Sequence, residues 1–269
     1  MTSGISERPA RRIKVVFGGG SSDRTVAGVL AALASEGAAD IAALFLEDHT
    51  LFRLAELPFA TEICRVTTTQ RPVTASALAR QLRVQASRAQ QAVQRIAERA
   101  GSSWSFRTHR GRLSTEIAIT RDVDVLLLGS QRGSLLPSGD LGETARSVRS
   151  HELVTTRPVA VLLDRADTAA RTLEHGMRFA QLTGRRLIVF LSDEAAKAHP
   201  LLTRPPDSIR STVQRVSTSD LGALLVGMRR TGPAVLMVSA GEAGFVESSI
   251  DALRRQLSCP VVVISTPGA

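Results

Sequence analysis

Tyrosine is absent from this 269-residue chain, tryptophan occurs once, cysteine twice, and lysine only at Lys14 and Lys197. Each scarcity removes a class of function. With no tyrosine and one tryptophan, the chain lacks the interleaved basic and aromatic residues on which single-stranded nucleic acid stacks. The net charge of +9 is carried by scattered arginines, which reads as solvated faces and argues against a nucleic-acid partner. Cys64 and Cys259 form no C-x-x-C pair, which argues against a structural zinc. So sparse a pair fits a reducing compartment, and each thiol reads as a small buried hydrophobe. No uncharged apolar run reaches about 18 residues, so no membrane partner is expected. The first residues carry no apolar core ahead of a cleavage site, and the expected localisation is cytoplasmic. The histidines form neither H-x-x-x-H nor H-E-x-x-H, and no serine sits in G-x-S-x-G. No catalytic set and no metal site are expected.

What is present is an alternation of strand-like and helix-like segments. "IKVVF" (Ile13–Phe17) is followed by "GGGSSD" and a helical pattern that sets Val26, Leu30 and Leu33 on one face. "DIAALFLED" is a continuous apolar run of the length of a buried parallel strand. The pattern then predicts a short helix near Leu51 to Leu57 and a long one over residues 75–100, stopped by Gly101. "SSWSFRTHRG" reads as a strand, "LSTEIAITRDV" as a helix and "DVLLLG" as a buried strand. The fold class expected is α/β, with parallel sheets flanked by helices.

The second half repeats this order more weakly: "RPVAVLLDRADTAARTLEHGMRFAQLTGRRLIVFLSDE" can be laid on the chain's opening strand, helix and strand. Two tandem Rossmann-like repeats are expected, residues 1–152 and 153–269. One strand, "PVAVLL", stands where two are needed. It either closes the first repeat or opens the second, and the residues after it favour the second.

"LLLGSQRGSLLPSGDLGETARSV", residues 126–148, raises the question of ligand. Glycines after a buried strand let backbone N–H groups approach phosphate oxygens, and a helix start adds its dipole. Elsewhere "GGGSSD" has no lysine for a Walker A loop, and Asp23 occupies the third glycine position of a dinucleotide fingerprint. A βα turn capped by Ser21 or Ser22 is the better reading there. "LEDH", Glu47-Asp48-His49, reads as a solvated strand end, because adjacent strand residues point to opposite faces.

The segments "LLLGSQRG", "LGETARSV" and "RPVAVLL", with "VLMVSAGEAG" and "ESSIDALRRQLSCPVVVI" in the second half, resemble the closing segment of the universal stress protein family, in its tandem form. The resemblance spans nearly the whole chain. It implies a non-enzymatic protein of the stress response, with ATP or another adenine nucleotide and magnesium bound in the first repeat. Nucleotide-binding members carry G-x2-G-x9-G-[ST]. Mapped here, Gly129, Gly133 and Gly142 give backbone access to phosphates, Thr144 a hydroxyl and Arg132 a charge, with Gly18 and Ser21 the opposite wall. The pattern is altered: one residue too many lies between Gly129 and Gly133, Glu143 stands where a hydroxyl belongs, and Gly18 replaces the family's aspartate. A weak site and a vestigial loop both remain open. In the second repeat Asp164 does hold the aspartate position, but Ser239 replaces the first glycine and the loop is short, so this half reads as structural.

The terminal "CPVVVIST" is either a strand covered within the chain or an edge that pairs across a homodimer, as the family's last strand does. The resemblance implies an unknown protein partner. Two rival readings stand beside it: an interaction module that needs no nucleotide, and an ATP α-hydrolase, against which the missing intact pyrophosphate loop weighs.

Overall fold

The computed structural model describes residues 11–18, 23–63, 69–118, 123–129, 157–198, 209–217, 221–239, 250, 253–254 and 256–265. The first half contributes β1 (Arg11–Gly18), α1 (Asp23–Ala34), β2 (Ala39–Asp48), α2 (His49–Ala55), α3 (Ala75–Ala100), β5 (Ser103–Gly111), α4 (Leu113–Ala118) and β6 (Val125–Leu128). Two short strands, β3 (Thr61–Ile63) and β4 (Gln70–Pro72), form an antiparallel ribbon apart from the main sheet, which the sequence pattern did not single out. The second half contributes β7 (Val159–Leu163), α5 (Ala166–Thr183), β8 (Leu187–Ser192), α6 (Asp193–Ala198), β9 (Ser211–Val216), α7 (Leu221–Thr231), β10 (Val235–Ser239) and β11 (Val261–Ile264).

The long helix α3 forms where the apolar spacing places it. Thr74 caps its start, its hydroxyl accepting from the Ala77 N–H at 3.2 Å. Gly101 ends it at φ 61°, a left-handed conformation that glycine adopts without a Cβ penalty, and Gly184 ends α5 in the same way at φ 63°.

The main sheet has nine strands in the order β5-β2-β1-β6-β11-β10-β7-β8-β9. Within each half the pairing is parallel, and β7 lies between β8 and β10 as β1 lies between β2 and β6. The strand "PVAVLL" is thus hydrogen-bonded to strands of the second half. A single antiparallel step joins the halves, between β6 and β11. Alternation along the strands sorts the core into two layers. Ile13, Val15 and Phe17 share one face with Val159, Val161 and Leu163, under Leu30 of α1, Leu82 of α3 and Phe179 of α5. Val16, Ala160 and Leu162 share the other, under Leu224 and Met228 of α7 and the segment carrying Ile250, Leu253 and Leu257. Both layers run through both halves, so the chain buries one continuous core around one sheet.

Of the two readings of the terminal strand, the pairing within the chain matches the covered one. β11 pairs with β10 on one side and β6 on the other, so both of its backbone edges are satisfied within the chain. The physical reason is the missing fifth strand: among the described residues none follows β6 in the first half, and β11 fills that place. Cys259, just before β11, is buried, and burial pushes its thiol up to about 12. Cys64 lies outside the described residues.

Polar contacts on the helix side also cross between the halves. Arg11 donates to Glu36 at 2.5 Å and lies 3.4 Å from Nδ1 of His175, while Arg178 donates to the Glu36 carbonyl at 3.2 Å. Burial, and then Arg11, Arg171 and Arg178, hold the His175 imidazole down at about 4.

Candidate functional site

In an open α/β sheet, ligands bind beyond the carboxyl ends of the strands where the strand order reverses. For the first half this point lies between β1 and β6. Gly18 ends β1, Gly129 follows β6, and both are buried, with the Gly129 N–H donating to the Val16 carbonyl at 3.2 Å. Of the residues the sequence nominated, these two are brought together. Ser21, Arg132, Gly133, Gly142 and Thr144 lie outside the described residues.

The structure adds a residue that the sequence reading missed. Arg254, from the second half, is only 4 % exposed and donates through Nε to the Gly129 carbonyl at 2.5 Å. Its Nη2 lies 3.1 Å from where a Cβ on Gly18 would stand. The topology explains its arrival. Because β11 runs antiparallel to β6, with Val261 opposite Leu128, the segment leading into β11 lies over the carboxyl end of β6. A signal was present in the sequence, since Arg254 falls on the same helical face as Ile250, Leu253 and Leu257, an apolar stripe on which a charge is out of place.

The second half has its own switch point, with opposite chemistry. Ile13 pairs with Val125 and Val159 with Val235, so counting from these pairs sets Asp164 opposite Gly18 and Ser239 opposite Gly129. Asp164 is buried; its Oδ1 accepts from the Ser239 hydroxyl at 3.1 Å and its carbonyl from the Ser192 hydroxyl at 3.0 Å. Burial raises the Asp164 carboxyl above its ordinary value of 3.8, opposed by backbone and Ser239 hydrogen bonds. A carboxyl raised on folding leaves the native state holding more protons than the unfolded one. The stability it contributes is therefore present at low pH and is lost as pH rises from about 3.8 through the raised value. Asp164→Asn, which keeps a polar partner for Ser239, is expected to remove this falling component. Urea denaturation of parent and variant across pH 3 to 8 checks it, and parallel stability curves would refute it.

The other polar constellations are structural. Glu116 of α4, 3 % exposed, accepts from Arg107 of β5 at 3.0 Å, with Lys14 Nζ at 3.7 Å and His109 Nε2 at 3.5 Å. These contacts tie α4 to β1 and β5. Burial lowers the Lys14 ammonium from its ordinary value, opposed by Glu116. In "LEDH", Glu47 takes Arg110 at 3.1 Å and Asp48 caps α2 by accepting from the Thr50 N–H at 2.8 Å. Among the described residues no three histidine, cysteine or acidic side chains gather as metal ligands, and no helix is long and apolar enough to cross a membrane.

The mostly parallel sheet flanked by helices, with switch points at the carboxyl ends of β1 and β7, is an α/β fold of the universal-stress-protein type. It superposes on the crystal structure of a universal stress protein from Archaeoglobus fulgidus with a TM-score of 0.50 at 17 % identity, covering 96 % of this chain and 99 % of that one. A putative universal stress protein from Pseudomonas aeruginosa UCBPP-PA14 aligns at a TM-score of 0.43 and 12 % identity, over 96 % and 94 % of the two chains. A functionally unknown protein from Pseudomonas aeruginosa PAO1 aligns at 0.42 and 12 %, over 96 % and 93 %. No protein-family model and no curated protein sequence matches the chain.

Proposed function

We propose that this chain is a cytoplasmic, non-enzymatic universal-stress-type protein whose first half binds an adenine nucleotide with magnesium, and whose occupancy a protein partner reads in a stress response. The observation that carries the reading is the pair of glycines at the carboxyl ends of β1 and β6, Gly18 and Gly129, with the buried guanidinium of Arg254 beside them. Two backbones without side chains and a fixed cation are what phosphate oxygens require. The residues present thus fit the phosphate end of the ligand. Arg132, Gly133, Gly142, Thr144 and Ser21 complete the site on sequence grounds.

A second reading, a partner-binding module that needs no nucleotide, is favoured by a different observation. Leu54, Leu57, Phe59 and Ile63 are exposed, Phe59 at 76 %, whereas the other large apolar side chains among the described residues are mostly buried.

Calorimetric titration of the nucleotide-stripped protein with MgATP, beside Gly142→Val, separates the two. One-site saturation in the parent and none in the variant supports the nucleotide reading. ATP at about 100 times its Kd should then stabilise the parent by about 2.7 kcal/mol, a melting shift of several degrees. Absence of binding at millimolar ATP, an affinity weaker than about 4 kcal/mol, leaves the partner module. Release of adenylate during the titration would instead make the protein an α-hydrolase.

A further inference from the structure

We propose that the amino ends of β7, β10 and β11 form a binding site for a small oxyanion, held between the guanidinium groups of Arg157 and Arg229. The site lies at the opposite end of the sheet from the switch points and does not rest on the nucleotide reading.

Three observations carry it. The first is a cavity of about 210 Å³ lined by Arg157, Arg229, Gln256 and Ser258, over a wall that includes Pro233 and Leu257. Arg157 leads into β7, Pro233 into β10 and Ser258 into β11, and the parallel pairing of these strands sets the three lead-ins side by side. The Ala234 N–H donates to the Pro158 carbonyl at 2.8 Å and the Leu236 N–H to the Pro260 carbonyl at 3.0 Å, which fixes the backbone around the cavity. Its volume falls below the roughly 300–1,000 Å³ of sites that enclose drug-sized ligands, so it suits a phosphate or a short dicarboxylate rather than a nucleotide.

The second is uncompensated charge. Arg185 joins the two lining arginines, donating through Nη1 to the Arg157 carbonyl at 3.2 Å. Burial, and then the charge of Arg157, lower the Arg185 guanidinium from its ordinary value. None of the three arginines forms an ion pair with a described residue. An anion shared by two guanidinium forks relieves their repulsion and matches their geometry, while Gln256 and Ser258 add neutral donors. An arginine in the last turn of a helix can instead serve the terminal carbonyls. In α7 the Thr231 hydroxyl fills that role for the Met228 carbonyl at 2.7 Å and the Gly232 N–H for the Arg229 carbonyl at 3.2 Å, which leaves the Arg229 guanidinium to the cavity.

The third is the contrast with the same end of the first half. Arg11 stands two residues before Ile13 as Arg157 stands two before Val159, and Ile13 and Val159 pair with Val125 and Val235 in the same way. Arg11 is answered by Glu36, from the loop between α1 and β2, at 2.5 Å. Asp124, just ahead of β6, accepts from the Arg12 N–H at 2.8 Å. In the second half the loop between α5 and β8 is Gly184-Arg185-Arg186, and Ala234 stands in the place of Asp124. Neither built-in acid has a counterpart there, and the cavity gives room to one from outside the chain.

The test is calorimetric titration of the full-length protein with sodium phosphate and, separately, with sodium succinate, using sodium chloride at matched ionic strength as the control for screening. The parent is expected to bind one oxyanion per chain and to give no saturable heat with chloride. Arg157→Gln and Arg229→Gln should each weaken binding at least about tenfold, since a hydrogen bond to a charged group is lost. Ser258→Asp should weaken it comparably by placing a carboxylate in the cavity, and because Ser258 is exposed this variant keeps the fold. Lys197→Gln removes an equal charge from an exposed position of α6, beyond the carboxyl end of β8, and should keep the parental affinity. Saturation by phosphate or by succinate supports the site and identifies which group it takes. No saturable binding of either anion by the parent overturns the proposal, as does parental affinity in the two arginine variants. A loss in Lys197→Gln as large as in Arg157→Gln also overturns it, because net charge alone would then account for the binding. The MgATP affinity of Arg157→Gln is expected to match the parent's. A tenfold loss would place the phosphates of the nucleotide in this cavity and overturn both the small-ligand assignment and the reading at β1 and β6.

Discussion

Val262→Asp is expected to destabilise the protein by at least about 4 kcal/mol, enough to leave much of the chain unfolded at 37 °C. Val262 is fully buried in the middle of β11, paired with Met237 of β10 on one side and Leu127 of β6 on the other. Its side chain belongs to the layer that contains Val125, Leu127 and Met237, all apolar and buried. A carboxylate placed there loses its hydration with no cation to receive it, and a protonated one still leaves a polar group without a partner. The effect is larger than for Val262→Ala, which removes two carbons and should cost about 2 kcal/mol. Because β11 is, among the described residues, the only sheet link between the halves, the aspartate variant should also lose cooperativity. Denaturation followed by circular dichroism would show two transitions, or one at much lower denaturant. A variant melting within a few degrees of the parent would mean that β11 does not occupy the interior of the sheet.

Gly176→Ala is expected to lower stability by about 2 kcal/mol, against the usual gain from replacing glycine inside a helix. Two effects of opposite sign compete at this position. Alanine in a helix interior is favoured over glycine by about 1 kcal/mol. At Gly176, however, a Cβ would stand 2.2 Å from Cγ2 of Val161, far inside the roughly 3.5–4.0 Å at which carbon atoms attract. Helix α5 would have to lift from β7, and overpacking of this kind costs about 1–3 kcal/mol or more. The clash wins because its relief displaces a whole helix. Gly28→Ala in α1 is the matched control, since a Cβ there meets nothing within 4 Å. It should gain the full helical preference of about 1 kcal/mol. Thermal melts of the two variants should thus move in opposite directions, and a Gly176→Ala variant as stable as Gly28→Ala would refute the close approach of α5 to β7.

The glycine comparison marks where local reading ends. Gly101 was legible as a helix stop, because capping depends on residues within one turn, whereas nothing local distinguishes Gly176 from Gly28. The candidate site divides in the same way. Gly18 and Gly129 were legible as strand-end positions, and Asp164 as the carboxylate of the second switch point, because each follows a buried apolar run. Arg254 was not connected to them, since it lies 125 residues from Gly129 in the chain and its contact depends on the direction of a different strand.

By itself the sequence determined the alternation of strands and helices, the split into two similar halves and the boundaries of α3. These depend on periodicity, capping and run length, all read over a few turns or strand lengths. Only the tertiary structure decided that the terminal strand is shared inside one sheet rather than offered to a second copy, and that a buried arginine of one half stands at the switch point of the other. The reason is that the inner strands β6, β7, β10 and β11 are buried on both faces, so composition is satisfied by several pairings. Closing the sheet chooses among them by matching β11 to the vacant edges of β6 and β10, and that choice sets which side chains meet.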